Sequence, residues 1–587
     1  MIGPAVPELV WRAKYRLAED GVPAEHDIGE TWDRVAHAIA AVESRPEDWV
    51  PRFRAILSAY RFLPGGRVLA GAGTDRRVTL FNCFVSGPLA DSLEAILAAL
   101  SETALTMQQG GGIGIDFSPL RPSGSMAVRT ASAASGPVSF MHLWDTLCAT
   151  LLSTTSRRGA MMGTLACDHP DIATFIDAKA AAGALSNFNL SVLVSDRFMH
   201  AVANDEPWPL FFPSRLRDRH PGSHVADSAV ATVSAAELFG HIAASAHASA
   251  EPGLLFVDTI NRQNNLRYCE TISATNPCGE IPLPPYGACD LGSLNLTAFV
   301  REPFSRRAAL DHDELCGTAA VAVRFLDDVI DASRFPLEAQ AAQARRTRRI
   351  GLGITGLADA LAMLGLRYDS DEARDVAATT LRRIRDMAYA TSIDLAREKG
   401  PFPCFEAPAY LEAPFIRRLP AALRDAIADH GLRNSHCLSI APAGTISLLA
   451  GNVSSGIEPI YALEAMRRIR EADGSPREVE VRDFAYETWL QGAAEHDTRD
   501  ALETAEAVSA EAHLAMQAAL QPFVDNAISK TINLPAEASI GDIAGIYRRA
   551  WDAGLKGCTV YRPGATVGQI LRARNQTHCC HLDREAD

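Results

Sequence analysis

Apolar residues recur at three- and four-residue spacing through residues 1–60, for instance in IGETWDRVAHAIAAVE, and this pattern predicts short amphipathic helices. RFLPGGRVLAGAG follows, a Pro- and Gly-punctuated stretch that predicts a loop leading into the apolar run VTLFNCFV. In ADSLEAILAALSETALTMQQ the helical period returns. Asp91 and Glu94 stand at capping-box spacing, and Leu93, Ile96, Leu97 and Leu100 mark one face expected to be buried. From Gly110 to about Pro459, short β-like runs (GIGIDF, FNLSVLV, HCLSIA) alternate with longer helical stretches, which predicts an α/β architecture with much buried sheet. DAKAAAGALS reads as helix or loop. The polar tail after Gly568 reads as flexible.

Composition narrows the function classes. The 587-residue chain has 56 Lys and Arg against 71 Asp and Glu, a net charge of −15, so a dedicated nucleic-acid binder with a basic footprint is not expected. Small phosphorylated ligands stay open, because they need only a local group of donors. No run of 18 apolar residues suggests a membrane span, and MIGPAVPELVWRAKYRL lacks the layout of a secretory signal, so a cytoplasmic protein is expected. Twelve cysteines without a C-x-x-C pair make no disulfide framework and fit a reducing compartment.

Several motifs invite a function. GLGITG (Gly351, Gly353, Gly356) has the G-x-G-x-x-G spacing of a dinucleotide site, which needs a buried strand feeding the turn. The preceding QARRTRRI offers four arginines instead, so close helix packing is the expected use of these glycines and a solvated helix face that of the arginines. A nicotinamide-dependent dehydrogenase is the alternative enzyme reading, and it requires a strand before Gly351. No metal site is assigned: H-E-x-x-H is absent, and HCCH at His578–His581 has adjacent cysteines rather than finger spacing. His220 and His224 flank a Pro-Gly turn and read as surface residues.

The stretch ATNPCGEIPLPPYGACDLGSLNL carries more chemistry. Asn276, Cys278 and Glu280 are two residues apart, so an extended chain projects them to one side, while Pro277 and Gly279 fix the loop and allow close backbone approach. A thiol between an amide and a carboxylate supplies a sulfur reactant, a hydrogen-bond donor and a general base. Cys289 lies far enough along to return to the same pocket across a turn. Isolated Cys148 and Cys316 read as small buried hydrophobes.

NPCGE followed by ACDLGSLNL resembles the finger loop of ribonucleotide reductase large chains, specifically the adenosylcobalamin-dependent class II enzymes. The resemblance runs from about Phe62 to Gln569. It takes in LFNCFVSG, QQGGGIGIDFSPLRPSGS, SGPVSFM, RRGAMMG, FNLSV, RRIGLGITGLADALAMLGL, APAGTISLLAGNVSSGIEP, VDNAISKTINLP and AGLKGCTVYRPG, in order. It implies a ten-stranded α/β barrel with a catalytic finger loop at residues 76–568, an N-terminal helical region at 1–75 and a flexible cysteine-containing tail at 569–587. Class I chains carry an adjacent tyrosine pair near the C-terminus, whereas here only Tyr561 stands in GLKGCTVYR; class III chains carry a glycyl radical there, and no glycine follows Gly568. Class II remains, with adenosylcobalamin as cofactor and no separate radical-generating subunit.

The same resemblance implies the roles. Cys278 would be the thiyl radical that takes the C3′ hydrogen of a ribonucleoside diphosphate, Glu280 would accept the 3′-hydroxyl proton, and Asn276 would hydrogen-bond the sugar hydroxyls. Cys83 and Cys289 would supply two electrons and close a disulfide, which a thioredoxin-like reductant reopens. Asn82 and Gly112 would lie against the nucleoside beside Pro277 and Gly279, and Pro442, Ala443, Gly444, Thr445 and Ile446 would take the phosphates at a helix start. Asp91, Ser92, Leu93 and Arg121 match deoxynucleoside triphosphate effector positions, and Ser153 to Gly163 match the loop that transmits effector identity. Vicinal Cys579 and Cys580 are possible tail reductants, and a homodimer is expected. A nucleotide-sensing pseudoenzyme is the non-enzyme alternative.

Overall fold

The structure, a computed structural model, describes residues 6–19, 22–127, 132–151, 160–181, 183–213, 229–470, 476–492, 498–565 and 571–573. Helices α1 (Val6–Lys14), α2 (Ile28–Ala40) and α3 (Pro46–Ser58) form the N-terminal region. The Asp27 side chain accepts hydrogen bonds from the backbone N–H groups of Gly29 and Glu30 and so starts α2. The helical period then buries Trp32, Val35, Ala36 and Ile39.

Ten strands make the principal sheet among the described residues: β1 (Phe62–Pro64), β2 (Cys83–Val85), β3 (Gly112–Asp116), β4 (Met161–Ala166), β5 (Phe188–Val194), β6 (Gly253–Phe256), β7 (Ala288–Asn295), β8 (Ile350–Thr355), β9 (Thr531–Asn533) and β10 (Gly557–Tyr561). Their order is β8-β7-β2-β3-β4-β5-β6-β10-β9, with β1 paired to β7. Neighbours from β2 to β6 are parallel; the β7/β2 and β6/β10 junctions are antiparallel. Isolated bridges join Leu352 to Leu438 and Ile440 to Ile528. Residues 436–440 therefore bond to β8 on one side and, on the other, to the segment running into β9. This links the two outer ends of the strand order, and the HCLSIA run serves as that link.

Helices α4 (Leu93–Gln108), α5 (Pro137–Thr150) and α6 (His312–Ala332) pack around the sheet. Phe325 of α6 meets Phe53 of α3 edge-on at 5.1 Å and Phe62 of β1 at 5.4 Å, which fastens the N-terminal region to the sheet. Burying each ring stabilises by about 1.5–3 kcal/mol. No helix among the described residues is long and apolar enough to cross a membrane.

Several local expectations change. RFLPGG is not loop: Phe62–Pro64 pairs with β7 and a short helix, Gly66–Gly71, follows, because Phe62 and Leu63 are buried and tertiary contact outweighs the local Pro/Gly signal. The cap of α4 is Ser92, whose hydroxyl accepts from Ala95 N at 3.2 Å; Asp91 instead pairs with Arg121. Leu93 and Leu97 are 58% and 49% exposed rather than buried, while Ile96 is buried and Leu100 half-buried. GLGIT lies within strand β8, and Gly356 caps the helix that follows, Leu357–Met363. Gly353 lets the chain approach Ser439, since a Cβ there would lie 2.4 Å from the Ser439 carbonyl oxygen, so strand contact rather than helix packing explains that glycine. Arg348 and Arg349 are no solvated face: Arg348 pairs with Asp327 and Asp331, and Arg349 with Glu270, all but Asp331 deeply buried. Of the tail, Leu571–Ala573 pairs antiparallel with Ala465–Arg467, a ladder that polar composition does not reveal. His220, His224, Cys579 and Cys580 lie outside the described residues, as do positions 153–159 of the expected effector loop.

Candidate active site

The loop bearing Cys278 is a hairpin whose arms, Ala274–Thr275 and Pro282–Leu283, pair antiparallel. Its tip is fixed from within: Asn276 N–H donates to Ile281 O at 3.1 Å, Gly279 N–H to Asn276 O at 3.2 Å, and Ile281 N–H to the Asn276 side-chain oxygen at 3.0 Å. Gly279 has φ +83°, a conformation that other residues enter only with strain. The loop is also gripped from outside. The Glu280 carbonyl accepts from Ser439 Oγ and Ala527 N–H, both at 2.9 Å, and Asn189 Nδ2 donates to Pro277 O at 2.8 Å. Buried Arg349 donates to Pro282 O at 2.6 Å.

β3 forms the floor. A Cβ on Gly114 would sit 1.7 Å from the Thr275 carbonyl oxygen, and one on Gly112 would sit 2.9 Å from Pro277 Cγ. The glycine-rich QQGGGIGID thus lets the hairpin lie directly on the strand. Asn82 is buried, with its side-chain amide against Gly65.

Three of the candidate residues meet through hydrogen bonds. Asn276 Nδ2 donates to Glu280 Oε1 at 2.8 Å and to Cys83 Sγ at 3.2 Å, and the Cys83 thiol faces Glu280 Oε1 at 3.9 Å. Cys83 and Cys289 are direct cross-strand partners in the antiparallel β2/β7 pair. Both are free thiols, fully buried, and burial holds each well above the usual thiol range; the Glu280 charge pushes Cys83 the same way. Burial also raises the Glu280 carboxyl to about 7, against the hydrogen bonds from Asn276 and Cys83 that lower it. Glu280 Oε2 has no hydrogen-bond partner among the described residues, so a buried acceptor stands ready beside a neutral amide and a thiol.

Cys278 sits differently. It is half-buried and, with Pro277, Gly279 and Pro442, lines a cavity of about 270 Å³ whose walls include Leu254, Val453, Cys558 and Tyr561. Nothing lies within 4 Å of a Cβ built on Gly279, so the tip faces open space. Pro442 leads into a short helix, Gly444–Leu449, and Ser455 Oγ accepts from Ala443 N–H at 2.7 Å. At a separate corner Arg121 holds Asp91 through Nε to Oδ2 at 2.7 Å and N–H to Oδ1 at 3.1 Å, both side chains partly exposed. Sequence reasoning did not single out Asn189, Ser439 or Arg349, which position the loop; FNLSV and RRIGLGITG contain two of them, but only their long-range contacts reveal the use. Among the described residues no three His, Cys, Asp or Glu side chains converge as metal ligands.

A thiol hairpin seated on a mixed ten-stranded sheet, with two more thiols paired across adjacent strands, defines a class. The chain belongs to the ribonucleotide reductase large-chain family: residues 81–561 match its barrel domain and residues 8–77 its all-alpha domain. Among curated relatives, the vitamin B12-dependent ribonucleoside-diphosphate reductase of Mycobacterium tuberculosis strain CDC 1551 is 41% identical, covering 96% of this chain and 80% of the relative. The protein of the same description from Thermoplasma acidophilum is 36% identical over 97% of this chain and 72% of its own length. The vitamin B12-dependent ribonucleotide reductase of Streptomyces coelicolor is 28% identical, covering 86% of this chain and 58% of the relative.

Proposed function

We propose that the protein reduces ribonucleoside diphosphates to 2′-deoxyribonucleoside diphosphates in a cobalamin-dependent, class II manner. The observation that carries this reading is the hydrogen-bonded set Cys83–Asn276–Glu280 with Cys289 in register, placed behind a hairpin that presents Cys278 to a cavity. The residues fit a cobalamin: Gly279 leaves open space at the hairpin tip, and Leu254, Val453 and Tyr561, which line the cavity with Cys278, would hold it. When bound, that cofactor supplies the one-electron oxidation of the Cys278 thiol.

The chain's own groups then do the rest. The Cys278 sulfur takes the hydrogen atom from C3′ of the ribose, and Glu280 takes the 3′-hydroxyl proton at Oε2, its unpartnered oxygen. Asn276 holds the sugar hydroxyls as the 2′ oxygen leaves as water. Cys83 and Cys289 lose two electrons and two protons and form a disulfide, after which Cys278 returns its hydrogen to C3′. The disulfide consumes a thiol reductant of thioredoxin type for the next cycle. Asn82 and Gly112 toward the nucleoside, and Pro442–Ile446 toward the phosphates, complete the substrate assignment.

Other parts of the reading rest on particular features. The Asp91–Arg121 corner and Ser92 are the proposed seat of deoxynucleoside triphosphate effectors. Exposed Leu93 and Leu97 on α4, with Leu143 on α5, support a homodimer through these helices. Separate family matches on either side of residues 78–80 support the division near residue 75. A cytoplasmic site of action fits DNA-precursor synthesis. The deciding experiment is turnover with a thioredoxin system, with and without adenosylcobalamin. Activity only with the corrin, lost in Cys278→Ser, is expected; activity without it would overturn the cofactor assignment, and an active Cys278→Ser would overturn the mechanism.

A further inference from the structure

Cys269 and Cys404 take no part in the chemistry above, yet they are brought together. Cys269 stands at the end of a turn (N–H to Leu266 O, 2.9 Å) a few residues before the hairpin, and Cys404 follows the long helix Asp371–Lys399, its N–H meeting Arg346 O at 3.3 Å. The Tyr268 hydroxyl donates to the Cys404 carbonyl at 2.8 Å and ties the two segments. Tyr268 directly precedes Cys269, so this bond sets Cys269 beside the Cys404 segment. Both are half-buried, whereas Cys83, Cys148, Cys167, Cys289, Cys437 and Cys558 are buried. Cys269, Glu270, Thr271 and Arg346 line one open cavity of about 410 Å³, so reagents can reach Cys269.

We propose that Cys269 and Cys404 form a second redox-active dithiol, an oxidation site for low-molecular-weight disulfides at the base of the Cys278 hairpin. The environment divides the labour. The neighbouring Cys404 thiol, aided by the Arg346 guanidinium, holds the Cys269 thiol below its usual range, against burial and the Glu270 charge. The same contact with Cys269, together with burial, pushes Cys404 up. A partly exposed thiol beside an arginine is the nucleophile of such a pair. Cys269 thiolate attacks one sulfur of the disulfide RSSR, forming a mixed disulfide and releasing RS⁻. Cys404 then attacks the Cys269 sulfur and gives up its proton, the second RS⁻ leaves as the old S–S bond breaks, and both released thiolates end as thiols. Two electrons pass from the cysteine pair to RSSR.

The location gives the bond a mechanical consequence. Glu270, next to Cys269, pairs with Arg349, and Arg349 donates to Pro282 O on the returning arm of the hairpin. A Cys269–Cys404 bond ties the clamp that holds this arm to the segment after the long helix.

The test needs no turnover and does not depend on the reductase reading. The full-length wild-type chain is equilibrated with mixtures of oxidised and reduced glutathione, quenched in acid, alkylated, digested and mapped by mass spectrometry. A linked Cys269–Cys404 peptide that reverts in reduced glutathione is expected. Cys404→Ser should instead accumulate glutathione on Cys269, and Arg346→Ala should slow modification of Cys269 severalfold. Two free thiols in excess oxidised glutathione, separate adducts without a linked peptide, or linkage of either cysteine elsewhere would overturn the proposal. A Cys83–Cys289 peptide is scored separately, since it bears on the active site.

Discussion

Glu280 is the group whose replacement separates catalysis from stability. Burial moves its ionisation from 4.5 to about 7, which corresponds to about 3 kcal/mol of differential interaction between its two protonation states. The sign follows from linkage. A carboxyl raised in the folded state contributes stability that is fully present below about pH 4.5 and is lost as pH rises through about 7. Glu280→Gln cannot ionise, keeps an oxygen to accept from Asn276 Nδ2 and places its amide nitrogen where Oε2 has no partner. Near pH 5 the variant and the wild type should therefore differ little. Toward pH 8 the variant should become the more stable by about 2–3 kcal/mol, while turnover is abolished because Gln accepts no proton. Urea unfolding of both proteins in parallel from pH 5 to pH 8 measures the gap, and every other titrating group cancels between them. A gap that stays constant or closes with rising pH would show that Glu280 is ionised without penalty in the fold, and the argument for a raised carboxyl would fail. Wild-type turnover should itself rise as pH passes about 7, where the carboxylate forms.

Gly114→Ala places a Cβ where the Thr275 carbonyl oxygen lies at 1.7 Å, and a backbone atom cannot swing aside. The hairpin must shift, which should cost about 1–3 kcal/mol in stability and on the order of 100-fold in kcat; an alanine variant with normal kcat would show that the hairpin does not rest on β3. Replacing exposed Leu93 and Leu97 by Glu should convert a dimer to monomers in sedimentation velocity, with each monomer folded by circular dichroism. A variant that remains dimeric would place the interface elsewhere. Cys579→Ser/Cys580→Ser should depress multiple turnovers driven by thioredoxin but not those driven by dithiothreitol; equal activity with both reductants would remove the tail from the cycle.

The hairpin proposed as catalytic was legible as a fixed turn because its pattern is local: Asn276, Cys278 and Glu280 alternate within five residues, and Pro277 and Gly279 announce the turn. The partnership of Cys83 and Cys289 was implied by family resemblance alone, since 206 residues separate them and only the β2/β7 register brings them opposite. Leu93 and Leu97 show why the rest was harder. A helical period identifies an apolar face but not what covers it, and a face reserved for another surface has the same spacing as a core face. Of the four arginines before GLGITG, Arg345 and Arg346 do lie on an exposed helix face, but Arg348 and Arg349 misled for a related reason. Charge suggests solvent, but Arg348 and Arg349 have buried carboxylate partners at Asp327 and Glu270, which are distant in sequence and leave no local signal.

The two cysteine pairs are built on opposite electrostatic plans, and the difference matches what each is asked to do. Cys83 and Cys289 have no exposed surface, and burial and the Glu280 charge keep Cys83 a thiol. Such a pair reacts poorly with external disulfides, because thiolate is the attacking species and access is required. In the proposed cycle it is thus preserved in reduced form until substrate chemistry in the pocket draws on it. The same burial keeps a protein such as thioredoxin from touching the resulting disulfide directly, so its electrons must pass either through a small dithiol that enters the pocket, the part tested at Cys579 and Cys580, or after local opening of the hairpin. Cys269 and Cys404 invert these terms: both are half-buried, and Cys269, the nucleophilic partner, opens to a cavity beside an arginine. Oxidants therefore meet Cys269 before Cys83 and Cys289, and its contact with the Glu270–Arg349–Pro282 clamp places the consequence on the hairpin arm while those two buried thiols stay intact.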